Sequence, residues 1–548
     1  MQGQTKQIPD WNYHLSRLIP IIAVYIFLAL YRIDHQSLWL DEVLSLRAAD
    51  PDRPFFDSQI WFRGQGPLYF ALLHFWAKLV SSEVGIRSLS VLIGIVSVML
   101  TYALGLRLFN RSVAWIGTTL LATSPFFVWY SQEVRYVGLM MAASLFAMYA
   151  FHRALSAHRP GWWVTYCCSL ILAIAAFVSN IVLPVVQWLF LLRSPLRRQV
   201  WRKVLVCQIV VFVLFIWWAN GGHYQRLGGY WKRLSRQITL SKEELSSIPR
   251  TKGLASGGSR EFELLALPYS FFVFSTGYSV GPSVRELQVS RSINALWRYL
   301  PHLLVFGALF CGLFVSGLVA CRRWPEAGTY LVLWFGIPII GALVVSGLTD
   351  MAYNVRYVSM ALPPFIFILS AGIVISRRRL IQIILLVSVL FVHGFSLANY
   401  YFNPRYARED ARSASRYLES ATGSEDIILI VGNPRAIRYY YKGDLTIIRW
   451  GKTDVSDQSS INSRLQEMSQ HYVHLWLVEI RQWEADPSGR VKATLDEAFD
   501  LVEQKSFPGV DIYSYHLAKN IFSRARDRGA IANLRLDADW GFEEIGPD

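Results

Sequence analysis

The chain has 548 residues, 53% of them hydrophobic, and a formal net charge of +15. Its hydrophobic content exceeds that of soluble globular proteins and indicates that most of the chain lies in a membrane. The residues before 402 include 35 basic and 16 acidic ones, and the basic ones flank apolar stretches, so the charge reflects membrane orientation and argues against a nucleic-acid partner.

Eleven apolar segments are predicted to cross the membrane. No small-residue cleavage site follows the first, which is therefore expected to be a retained helix and not a signal peptide. Some are shorter than the roughly 20 residues of a straight span, so flanking aromatic and arginine side chains are expected to complete them. The segments are residues 18–32, 87–106, 112–130, 137–152, 162–179, 181–192, 203–219, 299–320, 327–347, 357–376 and 380–398.

The distribution of basic residues sets the predicted orientation. With eleven spans and a cytoplasmic N-terminus, the arginine clusters between spans fall on the cytoplasmic side. Counting either of two further apolar stretches, 68–80 or 264–281, as a span would move every later cluster outside, so both are predicted to be juxtamembrane or re-entrant helices. The predicted outer side holds residues 33–86, 131–136, 220–298 and 349–356 and the C-terminal region.

The first outer loop contains two adjacent carboxylates, Asp41 and Glu42, directly after Trp39 and Leu40. Charges beside a bilayer are costly unless they face water, pair with a cation or do chemistry. A surface charge pair is the ordinary interpretation of neighbouring acids in a loop, but this position at the membrane edge favours a site. A carboxylate there can take the proton of an acceptor hydroxyl as a general base.

Two arginines on the same predicted side can hold a phosphate. The short turn 131–136 places Glu133 and Arg135 at the outer interface, and an arginine fork offsets the charge of a leaving phosphate. A structural Glu133–Arg135 pair is the alternative, and it is compatible with that role. Arg356, beside Tyr357 at the start of a span, is either a phosphate contact or a lipid-headgroup anchor, with neither favoured.

The long outer segment 220–298 is basic and rich in aromatic residues, and it includes His223 and Arg226. Such a mixture suits a sugar ring and an anionic group, although aromatic residues near a bilayer are also ordinary interface anchors. No histidine metal motif occurs, and no cofactor is predicted. If a divalent cation is used, oxygen ligands are available from Asp41, Glu42 and Glu133.

The region from about residue 402 alternates helical and strand patterns, with strands predicted at 426–432, 445–450, 472–480 and 511–515. This alternation predicts a small α/β domain. The predicted domains are therefore a membrane domain at 1–400, a soluble α/β domain at 401–518 and a polar tail at 519–548.

Several motifs in this order resemble those of a known family. The similarity is strongest over residues 20–200 and weaker to about 400. It is carried by Asp41-Glu42, GPLYFALLH at 66–74, GIRSLS at 85–90, Ser124-Pro125, SQEVRY at 131–136, NVRY at 354–357 and Pro363. The chain resembles the bacterial dolichyl-phosphate-mannose mannosyltransferase-like proteins. These belong to the C-type membrane glycosyltransferases (GT-C), with the protein O-mannosyltransferases and the lipid A aminoarabinose transferase.

The resemblance implies an active site in the first outer loop, a polyprenyl-phosphate sugar donor and inverting transfer at the outer face. Asp41 matches the family's catalytic aspartate and Glu42 its neighbour, while Glu133 and Arg135 match the acidic and arginine positions of the second loop. Family members often carry HPPLYY where this chain has QGPLYF, so the donor sugar is not assigned. The predicted substrate-pocket residues are Gln65, Tyr69, Tyr136, His223, Arg226 and Tyr357.

The sequence thus predicts an α-helical polytopic membrane protein of GT-C type, a glycosyltransferase of the bacterial inner membrane with an extracytoplasmic α/β domain. Asp41 is the predicted base, and Arg135 and Arg356 are expected to contact the donor phosphate. Glu42 and Glu133 are expected to orient the base or the acceptor, which is an unassigned lipid, glycan or protein. A lipid or polysaccharide transporter is the main alternative and a non-catalytic relative the second. Transporters tend to place ionisable residues mid-span, unlike these outer-loop acids.

Overall fold

The computed structural model describes residues 11–61, 66–156, 159–194, 197–220, 260–289, 298–348 and 353–517. The chain divides into two compact units, Met1–Asp410 and Ala411–Asp548. The first unit is helical and the second contains a five-stranded sheet. Residues 401–410, which the sequence analysis assigned to the soluble domain, belong to the first unit.

Within the described residues, seven helices are long and apolar enough to cross a membrane, or eight if one bent pair forms a single span. The seven are Glu83–Leu108, Val137–Ser156, Gln199–Trp218, Leu300–Arg323, Pro325–Gly347, Val355–Val374 and Arg379–Phe402. The bent pair is Arg111–Thr123 with Pro125–Ser131, and three shorter apolar helices are Ser16–Leu30, Gly161–Ala176 and Val178–Arg193. The chain is a multi-pass membrane protein, and each predicted segment overlaps one of these helices. The count of eleven spans stays a prediction.

Three helices lie in the first predicted outer loop, Leu40–Ala48, Ser58–Trp61 and Pro67–Leu79. The third begins after Gly66, whose φ is +112°, and a Cβ there would lie 2.5 Å from the carbonyl oxygen of Ala176. Only glycine combines that backbone conformation with so close an approach.

Two apolar helices named above have the full extents Trp11–Leu30 and Arg197–Asn220, and Leu183–Arg193 is the α-helical part of Val178–Arg193. The remaining helices of this unit are Arg260–Thr276 and Val284–Val289, with short 3₁₀ turns at Val178–Val182, Cys321–Arg323, Val355–Ala361 and Pro404–Tyr406.

Glycine allows two of the apolar helices to cross closely. On the helix Leu300–Ala320, a Cβ at Gly317 would overlap the carbonyl oxygen of Ile368. On the other helix, Leu362–Val374, a Cβ at Gly372 would overlap the carbonyl oxygen of Leu313. Because lipid tails are as apolar as leucine, helices associate in a membrane through close backbone packing at small residues. This crossing therefore contributes to the stability of the helical unit.

The second unit is a sheet covered by helices on both faces. Its strands are β1 Ile427–Gly432, β2 Ile447–Trp450, β3 His474–Ile480, β4 Asp500–Phe507 and β5 Val510–His516, in the order β2-β1-β3-β5-β4. Strand β1 pairs in parallel with β2 and β3, whereas β5 is antiparallel to β3 and β4. The covering helices are Ala411–Ala421 and Arg435–Tyr440 on one face and Gln458–His471 and Arg490–Ala498 on the other, with a 3₁₀ turn at Gln482–Glu484.

The C-terminal α/β region is confirmed, and four of its five strands lie where the sequence predicts them. The sequence analysis missed β4. Its sequence, DLVEQKSF, is polar, and its side chains are mostly exposed because it forms the edge of the sheet. An edge strand paired on one side only lacks the apolar alternation that marks a half-buried strand.

This sheet contains a buried acid. Glu479 on β3 lies opposite Asp511 on β5, its side chain is 8% exposed, and its Oε1 has no hydrogen-bond partner among the residues described. Burial first, and then the neighbouring carboxylates of Asp511 and Asp486, raise the pKa of Glu479 to about 7. The protonated form is therefore favoured in the folded sheet.

We expect Gly317→Ala to destabilise the helical unit by about 1–3 kcal/mol, because the new methyl group meets backbone that cannot move aside. Gly312→Ala on the same helix is the matched control, since a Cβ at Gly312 has no atom within 4 Å. Thermal unfolding of the purified protein in detergent would compare the two. Equal melting temperatures would mean that the helices do not cross closely at Gly317.

We expect Glu479→Gln to stabilise the sheet at pH 8 by about 1–3 kcal/mol relative to the wild type, and to have little effect at pH 5. A carboxyl with a raised folded-state pKa contributes stability below its unfolded pKa and loses that contribution as the pH rises through about 7. Hydrogen exchange of β3 in the full chain would measure this, with exposed Glu497→Gln as control. A pH-independent difference would contradict the protonated state.

Candidate functional site

The helix Leu40–Ala48 positions both acids of the first predicted outer loop in its first turn. The backbone N–H of Trp39 donates to Glu42 Oε2 at 3.3 Å, so this carboxylate caps the helix start. Negative charge in a first turn is stabilised by the unpaired N–H groups and the helix dipole. Because consecutive helical residues point about 100° apart, Asp41 and Glu42 face different surroundings.

Glu42 is fully buried in a two-point pair with Arg87. Arg87 Nε donates to Oε1 at 2.9 Å and Nη2 donates to Oε2 at 2.8 Å, and the two side chains are 0% and 1% exposed. The N–H of Val134 adds a bond to Oε1 at 3.0 Å. Burial alone would raise the pKa of Glu42, but Arg87 and then Arg408 outweigh it and hold the pKa below its usual range. Glu42 is therefore a buried carboxylate with both oxygens bound.

Arg87 also ties the loop before the helix to the membrane helix Glu83–Leu108. Its guanidinium donates to the backbone carbonyls of Ile33, Gln36 and Ser37 at 2.6–3.2 Å. One buried arginine thus holds Glu42 and three carbonyls at once, which fixes the loop that leads to Asp41.

A second arginine links the two loops that carry the acids. Arg408 donates to Glu133 Oε1 at 2.5 Å and lies 3.6 Å from Glu42 Oε2. Its guanidinium packs over the rings of Trp39 and Trp129, at 5.5 and 4.7 Å from the ring centroids. Flat stacking between aromatic rings suits a partly desolvated guanidinium.

Glu133 is held on one side only. Trp129 Nε1 donates to its Oε1 at 2.7 Å, the oxygen that Arg408 also contacts, whereas Oε2 is buried and has no hydrogen-bond partner among the described residues. Burial raises the pKa of Glu133, and the charge of Arg408 opposes this effect. The two oxygens of Glu133 thus lie in different surroundings.

Asp41, in contrast, is partly exposed and lies between two arginines. Arg356 Nη1 donates to Asp41 Oδ2 at 2.6 Å, and Arg135 Nη2 lies 3.4 Å from the same oxygen. The Asp41 side chain is 19% exposed, compared with 5% for Arg135 and 21% for Arg356. Arg135 Nη1 also donates to the Asp41 carbonyl and to Ser45 Oγ, at 3.2 and 3.3 Å.

A row of three stacked aromatic rings carries these two arginines at its ends. Tyr136 stacks on Phe177 with centroids 4.4 Å apart, and Phe177 stacks on Tyr357 at 5.8 Å. Arg135 lies over Tyr136 and Arg356 over Tyr357, at 4.8 and 5.2 Å. Within the described part of the chain, the buried Arg356 Nε and Tyr136 hydroxyl have no hydrogen-bond partner. Burial, opposed by both arginines, raises the pKa of Tyr136 to about 12, so its hydroxyl remains a donor.

The structure therefore brings Asp41, Arg135, Arg356, Tyr136 and Tyr357 together. Their chemical roles stay predictions. Arg135 contacts Asp41, and Glu133 contacts Arg408, so the Glu133–Arg135 pair considered as the structural alternative is not the closest pairing of either side chain.

Tyr69, another predicted pocket residue, is not part of this group. Tyr69 is fully buried and bonds to Ser90, which itself donates to the Glu133 carbonyl, so Tyr69 supports the second loop. Three predicted residues lie outside the described residues, namely Gln65, His223 and Arg226.

Sequence reasoning missed Arg87, Arg408 and Phe177. Arg87 could have been predicted, because an arginine near the start of an apolar span needs an acidic partner and Glu42 lies in the preceding loop. Neither Arg408 nor Phe177 stands out locally, since their partners are far away in sequence.

The carboxylates do not form a metal-ligand set. Among the residues that the structure describes, no group of three His, Cys, Asp or Glu side chains could hold a metal ion. Arginines already pair with all three carboxylates. Arg356 pairs with Asp41, and Arg87 pairs with Glu42. Arg408 pairs with Glu133 and also lies near Glu42.

Comparison with known proteins gives a family model and a fold. Residues 64–220 match the model of the family described as dolichyl-phosphate-mannose-protein mannosyltransferase. Curated protein sequences gave no match to the chain. The structure is similar to apo ArnT from Cupriavidus metallidurans, with a TM-score of 0.54 and 11% identity over 93% of this chain and 98% of ArnT.

A second solved structure is similar over most of its length. It is the archaeal oligosaccharyltransferase AglB from Archaeoglobus fulgidus, in complex with an inhibitory peptide and a dolichol-phosphate. Its TM-score is 0.52 at 11% identity, over 92% of this chain and 74% of AglB. The chain thus has the fold of the GT-C membrane glycosyltransferases, which confirms the resemblance and the fold class predicted from its sequence.

We expect Arg87→Met to destabilise the protein by about 3–5 kcal/mol, because it leaves the Glu42 charge buried without its partner. The exposed Arg53, which pairs with Asp50 at the surface, provides the control Arg53→Met. Thermal unfolding in detergent measures both. Adding Glu42→Gln to Arg87→Met should recover part of the loss, and a wild-type melting temperature for Arg87→Met would rule out the buried pair as a structural support.

Proposed function

We propose that this protein is an integral-membrane glycosyltransferase that transfers a sugar from a polyprenyl-phosphate donor to an acceptor hydroxyl. The observation that carries the proposal is the pairing of Asp41, the partly exposed acid, with two arginines carried by a stack of aromatic rings. The GT-C fold and the family-model match support the reaction class. The dolichol-phosphate bound by AglB supports a polyprenyl-phosphate donor.

The proposed reaction is a direct displacement at the anomeric carbon. The acceptor oxygen forms a bond to that carbon while the bond from carbon to phosphate oxygen breaks, so the configuration inverts. Asp41 takes the acceptor's proton as general base. The electron pair of the broken bond stays on the polyprenyl phosphate, whose charge Arg135 and Arg356 offset.

The other two acids have supporting roles in this proposal. Glu42 positions Asp41, because both of its oxygens are bound by Arg87 and its buried pair fixes the helix start. Glu133 orients the acceptor through its unpartnered Oε2. The stacked Tyr136, Phe177 and Tyr357 form an apolar wall beside the arginines, which suits a sugar or an isoprenoid chain.

The proposed location is the bacterial inner membrane, with the N-terminus in the cytoplasm and the site on the extracytoplasmic face. The arginine clusters between apolar segments support this orientation through the positive-inside rule. The C-terminal sheet is then also extracytoplasmic. The acceptor is a lipid, glycan or protein that presents a hydroxyl. A transporter is the competing function, and the clustering of acids and arginines outside mid-span positions favours the enzyme.

We expect Asp41→Asn to reduce sugar transfer by about 10²–10⁴-fold, the usual contribution of a general base. Exposed Asp52 in the same loop gives the matched control Asp52→Asn, which removes the same charge away from the arginines. The measurement is transfer of radiolabelled sugar from polyprenyl-phosphate donors in membranes at matched expression. Equal transfer by both variants would remove Asp41 as the base, and no transfer by the wild type across a broad donor panel would favour a transporter.

A further inference from the structure

The arginines proposed to hold the donor phosphate already hold an anion. Arg356 and Arg135 both approach Asp41 Oδ2, at 2.6 and 3.4 Å. An Asp41 oxygen that faces both guanidiniums is occupied by them and is not available to the proton of an acceptor hydroxyl. The proposed base, Asp41, is therefore held by the two arginines that are proposed to bind the phosphate. The carboxylate and the phosphate cannot occupy the same positions on these guanidiniums at once.

The two guanidiniums have supports that do not depend on the Asp41 carboxylate. Arg135 lies over the Tyr136 ring and donates to Ser45 Oγ, and Arg356 lies over the Tyr357 ring. If the Asp41 carboxylate moved away, these contacts would keep both arginines where they are. The pair of arginines is thus a preformed cationic site with an exchangeable anion.

Asp41 is the one acid of this site that can exchange. Its side chain is 19% exposed, and the contacts described for its carboxylate are to the two arginines. Glu42 is fully buried with both oxygens bound, and Glu133 is 2% exposed. A rotation of the Asp41 side chain moves its charge towards water, whereas the other two have no such path.

Two buried donors of this group have no acceptor among the residues that the structure describes. They are Arg356 Nε and the Tyr136 hydroxyl, and a buried donor without a partner costs free energy. A carboxylate presents two oxygens, whereas the phosphodiester of a polyprenyl-phosphate sugar presents four, two of them non-bridging and negatively charged. An incoming phosphate can satisfy donors that Asp41 does not, so the exchange is compensated at the site.

We propose that the donor phosphate and Asp41 compete for Arg356 and Arg135, so that binding of the donor displaces Asp41 from its ion pair and releases it to act as base. This inference rests on the proposed function and specifies how that site is regulated. Donor binding must then precede activation of the acceptor, because Asp41 is held by the arginines until the phosphate arrives. No covalent step is involved, since one ion pair is exchanged for another.

The test is the affinity of the full-length protein in detergent for undecaprenyl phosphate, which carries the phosphate but no sugar to transfer. Removing the competing carboxylate with Asp41→Asn should tighten binding by about 5–20-fold relative to the wild type. Arg356→Gln should weaken binding at least about tenfold, because it removes one of the two cations. Inorganic phosphate added as competitor should displace the lipid more readily from Asp41→Asn than from Arg356→Gln.

Two controls separate competition from other effects. Asp52→Asn removes a negative charge from the same loop away from the arginines, and it should change the affinity less than twofold. Asp41→Ser removes the carboxylate with a different side chain and should also bind the lipid more tightly. Tightening in Asp52→Asn equal to that in Asp41→Asn would assign the effect to long-range charge and overturn the proposal.

Failure of this inference differs from failure of the proposed function. If Asp41→Asn loses transfer but binds undecaprenyl phosphate as the wild type does, the competition is wrong while the base assignment stands. If Arg356→Gln binds the lipid as tightly as the wild type, the phosphate lies elsewhere, and both the donor site and the competition are wrong.

Discussion

The buried ion pair between Glu42 and Arg87 is the interaction on which the rest of the site depends. It joins the start of a short outer-loop helix to a long apolar helix, and the same arginine holds three carbonyls of the intervening loop. A charge pair without access to water is favourable only when each partner is fully bonded, as it is here. The neighbouring residue, Asp41, is partly exposed on a helix that this buried pair anchors.

Two adjacent acids thus have opposite physical situations. The bonded Glu42 carboxylate faces inwards, and Asp41 faces a pair of arginines near water. Arg408 extends the inner network to Glu133 and spans the two loops. In the proposed reaction, this division would separate positioning, which requires burial and complete hydrogen bonding, from chemistry, which requires an acid that can change its partner.

The hydrophobic pattern and the distribution of charged residues predicted the fold class, because apolar helices and buried strands have recognisable local sequences. The polar edge strand β4 has no such local sequence pattern. Within the candidate site, the sequence could place Asp41, Arg135 and Arg356 on one predicted side of the membrane, yet not pair them, because Arg356 lies 315 positions from Asp41. Arg408 and Phe177 were missed for the same reason: their contacts come from the tertiary fold and not from their neighbours in sequence.

Arg408 has a consequence for how the two units can be separated or exchanged. It lies two residues before the end of the helical unit, eight residues beyond the boundary at 400 that the hydrophobic pattern indicated. A truncation or gene fusion that ends the helical unit at residue 400 would remove Arg408, the cation that Glu42 and Glu133 share. Any loss of function would then be wrongly attributed to the missing sheet. A cut after Asp410 retains that cation. The modular boundary of this protein is therefore set by an ion pair and not by the end of the last apolar helix.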